Sequence, residues 1–283
     1  MACRDSTLRP RASKPVASLR AAMALLGSAM LSAACCSGVG AAAHSGSEAC
    51  AASVGAPDAA AAPCIHRSTV DVVLDGRRTR ADVYQPAQHA GAAVILAHGF
   101  TRSRATMGGH AMALAQEGFL AVAPDLPYLV DSRDNARALA DLAALVRRGA
   151  FGAPAERIVM VGFSAGGLAA LLASGSQGVV GYVGLDPFDR PGGVGRSFAL
   201  GLRVPAILVR GPPSACNAFS IAAPWAQALP LIEADHVIGN ASHCDFEAPT
   251  DALCRFVCGP ADPARGRRIR AELLDAVRRW LRP

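Results

Sequence analysis

The sequence predicts one doubly wound α/β domain: a mostly parallel sheet with helices on both faces and an antiparallel hairpin at its N-terminal edge. Three observations carry this. The runs "AAVILAHG", "FLAVAPD", "RIVMVGF", "YVGLDPF" and "VPAILVRG" are continuously apolar rather than alternating, as strands buried on both faces are. Helical patterns near 105–117, 134–148, 165–174 and 267–281 alternate with them, and repeated strand-then-helix order produces parallel pairing. Ahead of these, "STVDVVL" (68–74) and "RTRADVYQP" (78–86) are joined by Asp75-Gly76, a tight-hairpin signal.

The front of the chain has a different texture. Residues 1–20 carry Arg4, Arg9, Arg11, Lys14 and Arg20 against Asp5 alone, and the apolar "AAMALLGSAMLSAA" (21–34) that follows is too short to span a bilayer. This is the pattern of an export signal. Small residues at Ala41-Ala42-Ala43 place the cleavage site, giving a signal peptide over 1–43, a flexible lead-in over 44–67 and a folded domain over 68–283. A secreted or periplasmic protein without a transmembrane span is expected, with a lipid anchor at "LSAACC" (31–36) as the minor alternative.

Charge and composition exclude several chemistries. Five of the 28 basic and one of the 22 acidic residues lie in 1–43, so the rest of the chain carries 23 against 21. No basic excess remains to attract a phosphate backbone, and nucleic acid is not an expected partner. Lys14 is the single lysine, which closes Schiff-base and Ser–Lys mechanisms to the processed protein. Six cysteines follow residue 43, an even number that in an exported chain reads as disulfides. Cys50 with Cys64, Cys216 with Cys244, and Cys254 with Cys258 are the expected pairs. Neither Cys254-x-x-x-Cys258 nor the adjacent His243 and Cys244 has good zinc spacing, so no metal is expected.

In a doubly wound sheet, ligands bind beyond the carboxyl ends of the strands. Gly162-Phe163-Ser164-Ala165-Gly166 is G-x-S-x-G at a strand-to-helix junction, where a strained turn thrusts a serine out at the sheet edge. The bland alternative is a helix N-cap. A serine nucleophile needs a base from another strand end. His44, His66 and His89 belong to the lead-in and hairpin, His110 falls in a helix, His98 suits a structural role in its turn, and His236 begins the last apolar run. His243, after that run, is the expected base. The Gly99-Phe100 turn and the start of the helix after Ser164 point to the N–H groups of Phe100 and Ala165 as an oxyanion site. Phe100 would also line the cleft, and Trp225 is the aromatic expected at its rim. From Arg210 through Leu231 there is no Asp or Glu, so the acid must come from elsewhere. Asp186, directly after "YVGL", is the leading candidate, Asp189 its nearest rival, and Asp245 stands very close in sequence to His243.

Together "LAHGF", "VAPD", "GFSAGG", "LDP" and "SHCDFE" resemble the α/β-hydrolase family, and within it chlorophyllases and related secreted esterases and polyester hydrolases. The resemblance spans about residues 68–281. It implies a Ser–His–Asp triad with no cofactor and places the acid in the L-D-P turn, at Asp186. Phe163 and Ala165 stand where chlorophyllases have His and Arg, so the substrate does not carry over with the fold. The reading is an exported, monomeric serine hydrolase acting on small or polymeric carboxylic esters through an acyl-enzyme. An acyltransferase or peptidase with the same triad, or a non-catalytic binding protein, is the alternative. The short, glycine-rich 186–203 segment leaves little chain for a lid, so an open cleft is expected.

Overall fold

The computed structural model describes residues 64–88 and 91–282. Strands β1 (Ile65–Leu74) and β2 (Arg77–Pro86) form the front hairpin, with Asp75 and Gly76 both at positive φ (47° and 75°), as a tight two-residue turn between twisted strands requires. The hairpin strand starts at Ile65, inside the segment expected to be lead-in; residues 44–63 of that segment and the signal region lie outside the described residues.

Strands β3 (Ala92–Ala97), β4 (Leu120–Pro124), β5 (Arg157–Phe163), β6 (Val179–Leu185), β7 (Ala206–Arg210) and β8 (Ile232–Val237) complete one sheet of order β1-β2-β4-β3-β5-β6-β7-β8. β2 runs antiparallel to β4, and every later neighbour pairs in parallel. Because side chains alternate across a strand, a fully buried strand must be apolar on both sides. In β3, Ala93, Ile95 and Ala97 join one core with helices α2 (Ser132–Arg147) and α3 (Ala165–Ala173), while Val94 and Leu96 join the other with α1 (Gly108–Gln116) and α7 (Pro263–Leu281). Among the described residues no helix is long and apolar enough to cross a membrane.

The strand order positions the site. From β3 the chain moves outward to β4, then returns beneath the sheet to β5, beside β3 on the other side, and continues outward to β6. The connections leaving β3 and β5 therefore diverge, and a crevice opens between their carboxyl ends. The Gly99 turn and Ser164 stand on its two sides.

The last strand differs from its expected place. Instead of "HVIGNA", the strand is Ile232–Val237, and Ile238 to Ala241 form the turn after it. β8 is the sheet edge, so its side chains alternate between half-buried and exposed, and its acids are spent on neighbours. Asp235 takes a two-point pair from Arg210 (2.7 and 2.6 Å), and Glu233 accepts from Trp280 Nε1 (2.9 Å).

The cysteine pairing also differs. Cys216 is bonded to Cys258 and Cys244 to Cys254, not Cys216 to Cys244 or Cys254 to Cys258. Cys254 and Cys258 lie on the short helix α6 (Ala252–Cys258), one turn apart and on the same face, so each reaches a different loop packed against that face. Their sulfurs and that of Cys244 lie within 4.8 Å of one another, all three committed to these two bridges. Cys64 is disulfide-bonded, and Cys50, its expected partner, lies outside the described residues.

Candidate active site

β5 ends at Phe163 and α3 begins at Ala165, leaving Ser164 in the corner at φ 53°, ψ −123°. A non-glycine residue there is strained, and such strain persists only where the surrounding structure holds it. The flanking glycines allow the corner to close. A Cβ on Gly162 would overlap the Gly166 carbonyl, and one on Gly166 would overlap the carbonyl of His98. The turn from β3 comes equally near: a Cβ on Gly99 would lie 3.2 Å from that of Ser164. Ala165, first in α3, has an N–H with no partner inside the helix.

Ser164 borders a cleft of about 490 Å³, shared with His98, Phe100, Phe163 and His243. His243 opens a short 3-10 turn after β8, its ring 4.6 Å from that of Phe163 between centroids. Its Nδ1–H donates to Asp186 Oδ2 at 2.6 Å, which leaves Nε2 as the nitrogen free of the carboxylate. Asp186, buried at the end of β6, sits at φ 40°. Its other oxygen accepts from the Gly211 N–H (3.0 Å) and Asn217 Nδ2 (3.2 Å). The sequence reading missed Asn217. This buried amide also donates to the Pro212 carbonyl (2.9 Å) and accepts from the Ser214 and Ser220 N–H groups, so it is a rigid fixture in the very loop that lacks an acid.

The rival carboxylates are occupied elsewhere. Asp189 accepts from Trp225 Nε1 (2.7 Å) and from the N–H groups of Gly195 and Arg196, holding the start of helix α4 (Val194–Ala199). Asp245 accepts from the Ser242 and Asp262 N–H groups and from Arg265. His236 lies on β8, 3.4 Å from Glu272. Trp225 is not at the rim. It is 0% exposed, at the start of helix α5 (Trp225–Ala228), because its indole N–H is consumed by Asp189 and its ring fills the space over Gly195. The rim residues are instead Phe100, 51% exposed, Leu129 and Val130 from the loop before α2, and Leu253 and Val257 from α6.

His98 has the structural part expected of it. Nδ1–H donates to the Gly99 carbonyl (2.8 Å) and Nε2 accepts the Leu126 N–H (2.9 Å), a pair of contacts that only the neutral ring can make. Burial lowers its pKa. His110, under the His243 loop, donates from Nε2 to the Phe246 carbonyl (3.1 Å); burial and then Arg270 lower its pKa to about 4. Both rings are neutral when folded but titrate near 6.5 when unfolded. Their contribution is complete above about pH 6.5 and is lost as pH falls toward the depressed folded values, roughly 3 kcal/mol for His110. Thermal melts should therefore show stability falling steadily from pH 7 to pH 4.5; a flat profile would contradict this.

No known family profile matches the chain, and no curated protein matches it in sequence. Solved structures do. A dienelactone hydrolase from Anabaena variabilis superimposes with a TM-score of 0.62 at 19% identity, over 77% of this chain and 99% of that one. A Klebsiella pneumoniae protein that provisionally carries the same name gives 0.56 at 16%, over 76% and 98%. The chain has the α/β-hydrolase fold. At these identities the likeness speaks for the fold and not for a substrate.

Proposed function

We propose that the protein is an exported, monomeric serine hydrolase that cleaves carboxylic esters through an acyl-enzyme. One observation carries the reading: a strained serine at the elbow shares a cleft with a histidine whose Nδ1–H is held 2.6 Å from a buried carboxylate. Ser164 Oγ attacks the ester carbonyl as His243 Nε2 accepts its proton, and Asp186 keeps the imidazole in that tautomer and stabilises its charged form. The tetrahedral oxygen lies against the N–H groups of Ala165 and Phe100, at the positive end of α3. Collapse expels the alcohol, protonated by His243. Water then attacks the acyl-serine by the same route, giving the carboxylic acid and free serine.

The structural neighbours, named for a lactone and so for an internal ester, favour an ester over an amide. The chlorophyllase and polyester-hydrolase resemblance supports the acid in the L-D-P turn. The walls contributed by Phe100, Leu129, Val130, Leu253 and Val257 suit an apolar acyl or alcohol group. With a panel of p-nitrophenyl esters from acetate to palmitate and a p-nitroanilide control, the expected result is turnover of the esters, with the anilide at least ~100-fold slower. Folded protein that turns over no ester, or prefers the anilide, would contradict the proposal.

A further inference from the structure

Arg102 closes the turn that carries Phe100, its N–H donating to the Gly99 carbonyl at 3.1 Å. Its side chain then crosses to the opposite wall of the cleft. Nε and Nη2 form a two-point pair with Glu247 (2.5 and 2.8 Å), and Nη2 also reaches Asp251 at 2.9 Å. The Glu247 side chain is 0% exposed and that of Arg102 11%, so this is an interior pair rather than a solvated one. Glu247 stands four residues after His243. Asp251 caps α6 by accepting the Cys254 N–H (2.9 Å), and Cys254 is bridged to Cys244, the neighbour of His243. One guanidinium thus joins the turn, the base loop and α6.

The base loop has other anchors. Ala248 donates to the Thr106 carbonyl (2.7 Å) and accepts from the Gly109 N–H (2.5 Å), so the loop stays attached to the start of α1 without any help from Arg102. What those backbone bonds do not fix is the turn itself, whose Thr101 sits at φ 57° and whose Phe100 ring is half in solvent.

We propose that Arg102 is a positioning residue whose pair with Glu247 sets the register between the turn bearing the Phe100 N–H and the loop bearing His243. The inference rests on the ester-hydrolase reading above. A tetrahedral intermediate needs the oxyanion donor and the base placed about one carbon atom, and a slip of about 1 Å between them costs on the order of 10²-fold in rate. Arg suits the role because its planar fork fixes angle as well as distance, which an ammonium cannot do.

The test compares wild type with Arg102→Gln, Arg102→Lys, Glu247→Gln and the double Arg102→Gln/Glu247→Gln variant on p-nitrophenyl butyrate, with active sites counted by fluorophosphonate titration. A single variant strands a buried charge and can lose fold. The double variant removes both charges, so it is the decisive one. Its kcat per titrated site is expected to fall by about 30- to 100-fold with KM within about 3-fold. Arg102→Lys should recover part of that loss, and the double variant should be no slower than the worse single. A folded double variant with wild-type kcat, or a loss that vanishes on normalising to titrated sites, overturns the proposal. A wild-type protein that neither titrates nor turns over ester sinks the hydrolase reading instead, before any variant is compared.

Discussion

Asp186→Asn is expected to lower kcat on a short ester by about 10³–10⁴-fold while leaving the fold intact. The amide can still accept the Gly211 N–H through its oxygen. That leaves its NH₂ facing His243 Nδ1, which can then only accept a hydrogen bond, so the proton moves to Nε2 and the ring no longer takes one from Ser164. The contrasting variant is Asp189→Asn, where the carboxylate holds Trp225 and the start of α4. It should lose stability with little change in kcat per folded molecule. Kinetics of the two, alongside their melting temperatures, check both halves. Near-wild-type turnover in Asp186→Asn would remove it as the acid.

The second large effect concerns the disulfides. Cys216–Cys258 closes a loop with a sequence separation of 42, and Cys244–Cys254 one of 10. Chain-entropy reasoning gives about 4 kcal/mol for the first and about 3 for the second, together a large share of an ordinary domain's stability. Serine pairs at 216/258 and at 244/254, measured by urea unfolding, should rank in that order. The functional ranking should be the reverse: Cys244 adjoins His243 itself, whereas Cys216 adjoins Asn217, which acts on the base only through Asp186. A 244/254 variant with full kcat and a 216/258 variant with full stability would contradict the assignment.

What was legible in the sequence follows from how much each element depends on its own residues. β3 to β7 are buried on both faces, so their apolar runs could mean little else. β8 is an edge strand carrying Glu233 and Asp235, whose partners come from α7 and β7, and alternation with acids looks like loop until those partners are placed. That Ser164 and His243 share one cleft is legible because G-x-S-x-G elbows and strand ends leave few alternatives. The contact between His243 and Asp186 is foreshadowed by the lack of acids after β7, but Asn217, which holds that carboxylate, is not: an asparagine in a turn-rich stretch is unremarkable locally, and its bond to Asp186 crosses 31 residues. The place of Trp225 is hidden in the sequence for a similar reason. An aromatic near a cleft suggests a rim, and only the tertiary contact with Asp189 explains why it is inside. The disulfide pairing depends on α6, which the sequence does not announce. Seven residues that keep Leu253, Phe256 and Val257 exposed show no helical stripe, and without that helix the cysteines read as neighbours rather than two rungs of one face.

Whether Ser164 is the nucleophile is tested most directly by mass spectrometry after reaction with a fluorophosphonate. One covalent adduct per folded molecule is expected, located on Ser164 within the peptide that spans β5 and α3, and absent in Ser164→Ala. An unlabelled folded protein, or an adduct carried by another residue, would contradict it.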